Sequence, residues 1–266
     1  MSTENVEKLL AKAKGKNSER AVKKMTEVVD GKLRIICDPL LIVPLRDLVE
    51  HGNEYSTEHF DEPTVRRLVR SILHEYRSPY TRQLIDRYTI VDIAQKVVGV
   101  GSVGMRAWMV VMQGADERDP LVLQVKEAQE SVLERFLGRS NYEQHEKRVV
   151  MGQCAMQIAS DILLGWTSAP VLGSDDKEYY VRQLWDGKGS FDLSMLDADK
   201  LSVYARGCGW ILAHAHARTG DRFAIAGYLG TSDTFDKAVA KFAVAYADQN
   251  ELDYQRFLEA KEAGML

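Results

Sequence analysis

The stretch from Val97 to Ala128, VVGVGSVGMRAWMVVMQGADERDPLVLQVKEA, concentrates the residues whose type and spacing have chemical content. Gly99, Gly101 and Gly104 form a G-x-G-x-x-G, and Lys126 ends the run VLQVK. Residues without a Cβ let a backbone turn approach a polyphosphate closely, and a nearby ammonium group can neutralise its charge. The flanking elements decide which kind of site this would be. A dinucleotide fold needs its glycines to open a helix whose N-terminus then holds the pyrophosphate. Here Ala107 to Met112 is an apolar run with a tryptophan and two adjacent valines, a composition that favours strand. A nicotinamide-dependent oxidoreductase is disfavoured on that ground.

The surrounding pattern is ordered. Tyr88 to Val98 reads as strand, and Gln113 to Pro120 is a polar turn with Gly114 and Asp119-Pro120. Leu121 to Val125 is a further apolar run ending at Lys126. A kinase-type loop folds over phosphates between two strands and takes its lysine from the third. On this reading Gly99, Gly101, Ser102 and Gly104 cradle phosphates and Lys126 contacts them. The competing reading is a glycine-bulged hairpin with a solvated lysine.

A kinase-type lysine is paired by a carboxylate on the helix that follows. The helical pattern from about Asn141 to Ser160 offers Glu146 first and Glu143 second, with Glu143 expected to face water. Leu163 to Trp166 is a candidate strand, and YYVRQL from Tyr179 to Leu184 is a clear one. The glycine-spaced connector that follows places a hinge, whose backbone would meet the nucleotide base, near Gln183 to Asp186. Before the glycines, Asp30-Gly31 marks a hairpin, Pro39 and Pro44 bracket an extended LLIV, and helices are expected from Asp61 to about Tyr76 and from Ser78-Pro79 through Ile85. After the connector, Leu201 to Arg218 is a long helix, Ala224 to Gly230 a loop or short turn, and Thr234 to Ala247 and Glu251 to Ala263 two more helices. Phe235, Val239, Phe242 and Tyr246 form a stripe expected in the core. His214 and His216 are two apart and so point to different faces of a helix, unlike the four-residue spacing of a metal-binding pair. Asp248, Asn250 and Asp253 could hold magnesium, but more often such a cluster caps a helix.

With 266 residues, 45% of them hydrophobic, the chain can bury a substantial core. A net charge of −4 gives no general argument for nucleic acid or an anionic membrane as partner. Cys37, Cys154 and Cys208 are widely separated and lack metal spacing, which favours a reduced, cytoplasmic protein. The charged start, MSTENVEKLL, lacks the apolar core of a signal peptide.

Long collinear stretches resemble the bacterial family called domain of unknown function 2252. They include KMTEVVDGKLRI at Lys24, VVGVGSVGMR at Val97, LVLQVKEAQESVLE at Leu121, RVVMGQCAMQIASDILLGWT at Arg148, YYVRQLWDGKGSFDL at Tyr179 and YARGCGWILAHAHARTGD at Tyr204. The last is IAGYLGTSDTFDKAVAKFAVAYADQNELD at Ile225. The resemblance implies that fuller members carry, ahead of this region, G-D-x-H-x-x-N-F-G and N-D-F-D-E motifs. Those are similar to the catalytic loop and metal-binding segment of aminoglycoside-phosphotransferase-type kinases. Neither motif, nor H-R-D or D-F-G, stands in this sequence. The chain therefore resembles the C-terminal part of a member.

The expected fold is α+β and protein-kinase-like: a small antiparallel sheet lobe plus a helical lobe, incomplete or permuted. Residues 1–87 would form a helical and hairpin segment, 88–190 the glycine-loop sheet lobe and 191–266 the helical lobe. The expected ligands are ATP and Mg2+, bound by Gly99, Gly101, Ser102, Gly104, Lys126, Glu146 and Gln183. No catalytic residue and no protein-held metal is assigned, and phosphotransfer by this chain alone is doubtful. The alternative is a non-catalytic binding subunit or remnant that completes a site with a separate chain carrying the missing catalytic half.

Overall fold

The computed structural model describes residues 17–50, 70, 79–97, 104–169, 177–184 and 192–265. The chain divides into two compact units, Met1–Leu212 and Ala213–Leu266, with the boundary inside a helix.

The first unit begins with α1 (Ser18–Met25), whose first turn is capped by the Asn17 side chain accepting from the Arg20 N–H. The hairpin β1 (Thr26–Val29) and β2 (Lys32–Ile35) turns at Asp30 and Gly31, at φ 50° and 72°. Two successive residues in the left-handed region are what a tight two-residue hairpin needs, and Asp-Gly supplies them. Next come β3 (Ile42–Pro44), α2 (Leu45–Glu50), α3 (Pro79–Ile85), β4 (Thr89–Lys96), β5 (Ala107–Gln113) and β6 (Pro120–Glu127). After these lie α4 (Glu134–Leu137), α5 (His145–Met156), β7 (Gly165–Ala169) and β8 (Lys177–Gln183).

Six strands form one antiparallel sheet in the order β3-β4-β5-β6-β8-β7. The central strands β5 and β6 are buried on both faces, which is why AWMVVM and LVLQV read as continuous rather than alternating apolar runs. On one face Trp108, Val110, Met112, Leu121, Leu123, Val125, Tyr179 and Val181 pack with Leu45 and Leu48 of α2 and Ile85 of α3. On the other, Met109, Val111, Val122 and Leu184 pack with Ala21 and Met25 of α1, Ile35 of the hairpin and Ile42. The segment before residue 88 thus supplies an edge strand and covers both faces.

Asp92 fastens the hairpin to the sheet. It lies at a register irregularity of β4, and its buried carboxylate accepts from the Ile35 N–H at 2.8 Å, the Arg46 guanidinium at 2.7 Å and the Ile93 N–H at 3.0 Å.

The C-terminal helices are α6 (Ala198–Thr219), α7 (Arg222–Leu229) and α8 (Thr234–Glu262). Two expectations are corrected here. Ala224 to Gly230 is not a loop. Asp221 caps α7 by accepting from the N–H groups of Phe223 and Ala224, and Gly230 at φ 63° ends it. The two helices expected between Thr234 and Ala263 are also one, the 29-residue Thr234–Glu262. No glycine or proline interrupts it, and side-chain bonds from Gln249 to Asp253 (2.9 Å) and Gln255 to Glu251 (2.8 Å) carry it through the acidic segment. The stripe of Phe235, Val239, Phe242 and Tyr246 is exposed rather than core, with Phe242 and Tyr246 stacked at 5.8 Å. The expected helix from Asp61 lies outside the described residues.

Asp92→Ala removes the acceptor of three donors, one of them a charged guanidinium. It is expected to lower unfolding stability by about 2–3 kcal/mol, read from the urea midpoint. An unchanged midpoint would mean that the hairpin is held by apolar packing alone.

Candidate functional site

The site is built by strand alternation. On β6, Leu121, Leu123 and Val125 face one core, which leaves Val122, Gln124 and Lys126 on the opposite face. Lys126 stands between Ala107 of β5 and Tyr180 of β8, and Gln124 between Met109 and Arg182. Lys126 and Arg182 are diagonal neighbours on this face, within reach of each other's long side chains. Ala94 packs on the same face, so Lys96, two residues on, alternates onto it at the end of β4.

Lys126 is half-buried. Loss of hydration pushes its pKa below the ordinary value, and the Arg182 charge adds to the shift. Among the described residues no carboxylate pairs with its ammonium group. Arg182 donates from Nε to Oε1 of buried Gln124 at 3.1 Å. Lys96 is also half-buried and shifted down, by burial first and by Lys24 second. This face carries three cations and a buried amide; Asp38 offsets Lys96 in part and Glu178 of β8 alternates onto the same face, but among the described residues no carboxylate pairs with Lys126 or Arg182.

Of the glycines, Gly104 is described. It sits at φ 80°, a conformation other residues reach only at a cost, and leads into β5 with no helix following. Gly99, Gly101 and Ser102 lie outside the described residues. The leg of the turn that follows Gly104 is anchored by Glu127, the residue after Lys126. Its buried carboxylate accepts from the Arg106 N–H at 3.1 Å, Gln129 Nε2 at 3.0 Å and Lys177 Nζ at 3.1 Å. The Glu127 N–H donates to the Arg106 carbonyl at 2.9 Å. Burial alone would raise its pKa, but these donors outweigh it and hold the carboxyl below its usual value. Strand alternation therefore gives adjacent residues two tasks: Glu127 fixes the turn, and Lys126 faces the opposite way.

Glu146 is fully buried in the first turn of α5, not on a solvated face. It makes no ion pair with Lys126. Its oxygens have no well-formed hydrogen bond, only the weakly aligned N–H groups of Glu146 and Lys147 nearby, and they face the carboxylate of Glu178. Glu178 in turn accepts from the His145 N–H at 2.7 Å, a favourable place for an anion at a helix start. Burial, then the Glu178 carboxylate, pushes Glu146 up to about 7. Glu143 is exposed ahead of the helix. Gln183 lies inside β8. Its N–H donates to Asp161 at 2.6 Å and its amide to Ser18 Oγ at 3.2 Å, so both donors are committed to the protein. The connector's residues 185–191 lie outside the described residues.

Three features here were absent from the sequence reading: Arg182, Lys96 and the anchoring role of Glu127. Arg182 in YYVRQL has no motif of its own, and only the β6–β8 register brings it beside Lys126. Among the described residues no group of three His, Cys, Asp or Glu side chains could hold a metal, and no helix is long and apolar enough to cross a membrane.

The model of a family described as "Uncharacterized protein conserved in bacteria (DUF2252)" matches residues 2–260. The chain belongs to this family. No curated protein and no solved structure matches this DUF2252 member.

Glu146 supplies a pH test. Its folded pKa of about 7 lies above its ordinary 4.5, so folding favours the protonated form, and stability falls as pH rises from roughly 4.5 to 7. Glu146→Gln is expected to be more stable than the parent by about 2 kcal/mol at pH 8, with the gap closing near pH 4. Chemical denaturation at the two pH values reads this directly, and a pH-independent gap would contradict it.

Proposed function

We propose that this DUF2252 member binds ATP or a related nucleotide on the Lys126 face of its sheet. It is a kinase-like protein whose phosphotransfer, by this chain alone, is weak or absent. A kinase-type nucleotide lobe has a glycine loop over the phosphates, a lysine on the third strand and a carboxylate-bearing helix near it. β4, the glycine stretch, β5, β6 with Lys126, and α5 with buried Glu146 follow that sequence. The observation that carries the reading is the half-buried, uncompensated charge of Lys126 beside Arg182. A cation in that position costs desolvation that an anionic ligand offsets. Gly104 and the Glu127-anchored leg set the turn at the root of the same strands. Mg2+ would accompany the nucleotide. The doubt over catalysis follows from chemistry: phosphoryl transfer needs metal ligands and an orienting acid, and the motifs that would supply them are absent from the sequence.

A second reading is a non-catalytic binding subunit or remnant that completes a site with a separate chain carrying the catalytic half. The exposed aromatic stripe of Phe235, Phe242 and Tyr246 favours it, since contiguous exposed apolar surface marks interaction sites. Co-expression with a chain bearing the G-D-x-H motif would give a complex and phosphotransfer. Separate elution of the two chains would remove this reading.

Millimolar Mg-ATP is expected to raise the melting temperature by several degrees, as ligand binding to the folded state requires. Lys126→Ala is expected to remove most of that shift. A melting temperature unmoved by nucleotide would defeat the proposal, and a full shift in the variant would take Lys126 out of the site.

A further inference from the structure

We infer that Arg182 is a second phosphate-binding residue of this site, held in place by Gln124, and that the ligand the site selects is a polyphosphate chain. The inference deepens the nucleotide reading, since it names which part of the ligand the sheet face recognises.

The first argument is geometric. Gln124 and Arg182 are direct cross-strand partners, and Lys126 is two residues along β6 on the same face. The side chain of Gln124 is buried, and its Oε1 takes the Nε–H of Arg182 at 3.1 Å. That bond fixes the guanidinium plane. The two terminal nitrogens of Arg182 bond no other group among the described residues. A planar fork fixed at Nε with both Nη groups unclaimed suits bidentate capture of a phosphate oxygen pair.

The second argument is charge. Lys126 and Arg182 are close enough for the arginine to disfavour the protonated lysine, and among the described residues neither forms an ion pair with a carboxylate. Two like charges at a half-buried corner are unfavourable unless something anionic joins them. A single carboxylate would satisfy one cation. A polyphosphate has enough oxygens to engage both, and Lys96 lies on the same face at the root of the glycine stretch. Alternative local partners are already taken: Glu127 is committed to Arg106, Gln129 and Lys177, and Glu178 to the start of α5. Asp38 acts on Lys96 and Glu178 alternates onto this face, but among the described residues neither forms an ion pair with Lys126 or Arg182.

The test is equilibrium titration of the full chain with inorganic tripolyphosphate, Mg-ATP and adenosine, for the parent and for Arg182→Gln and Arg182→Lys. The parent is expected to bind tripolyphosphate and Mg-ATP, but adenosine at least tenfold more weakly. Arg182→Gln is expected to weaken tripolyphosphate and Mg-ATP alike by about tenfold, the loss of one charge-assisted contact. Arg182→Lys keeps the charge but lacks the fork that Gln124 orients. It is expected to bind a few-fold more weakly than the parent, and it decides the matter if Arg182→Gln does not fold. Parent-like affinity in either folded variant would overturn the role of Arg182 while leaving the nucleotide reading intact. Tripolyphosphate binding that depends on Arg182, without Mg-ATP binding, would support Arg182 and defeat the nucleotide reading. No binding of either anion by the parent would overturn both.

Discussion

The buried carboxylate of Glu127 holds together the corner of the sheet that carries the candidate site. It joins the leg of the glycine turn at Arg106, the loop at Gln129 and strand β8 at Lys177. Because side chains alternate along a strand, fixing Glu127 on one face fixes Lys126 on the other. A one-residue slip of β6 would exchange the two, placing an acid where the site needs a cation. The apolar residues of β6 resist such a slip, since Leu121, Leu123 and Val125 fill one core and Val122 the other.

The same face is asymmetric along its length. Toward Val122 it is closed by α1, where Ser18 Oγ accepts from the Val122 N–H at 3.3 Å. Toward Lys126 it is half-open and basic. The closed end supplies rigidity through apolar packing. The open end holds Lys126 and Arg182 with no paired carboxylate among the described residues, a local cost of the kind found where structure serves binding rather than stability. Glu178 alternates onto the same face of β8 as Arg182, and buried Glu146 facing it is a second local cost, of opposite sign.

The sheet was legible in the sequence because its signals are local. Asp30-Gly31 gave the hairpin, the apolar runs gave β4, β5, β6 and β8, and Lys126 stood at a strand end. The reading lost ground where the deciding interaction is long-range. The start of α5 is set by Glu178 across the fold, so the helix begins at His145 rather than near Asn141. Arg182 comes beside Lys126 only through its register with Gln124. The acidic segment at Asp248 has the composition of a break, because Asp and Asn favour caps. Inside a long helix, side-chain pairs four residues apart outweigh that preference. The aromatic stripe of α8 followed the helical period correctly, yet periodicity reports an apolar face and not what covers it.

Lys126 is a half-buried ammonium group with no carboxylate partner among the described residues, and the proposed function gives it an anion to hold. Its pKa is measurable by NMR on the chain with isotopically labelled lysine side chains, assigned by comparison with a Lys126→Arg sample. The account predicts a Lys126 resonance that titrates below the ordinary lysine value and moves back up when tripolyphosphate is added. A resonance that titrates like the solvated lysines and ignores the anion would contradict it.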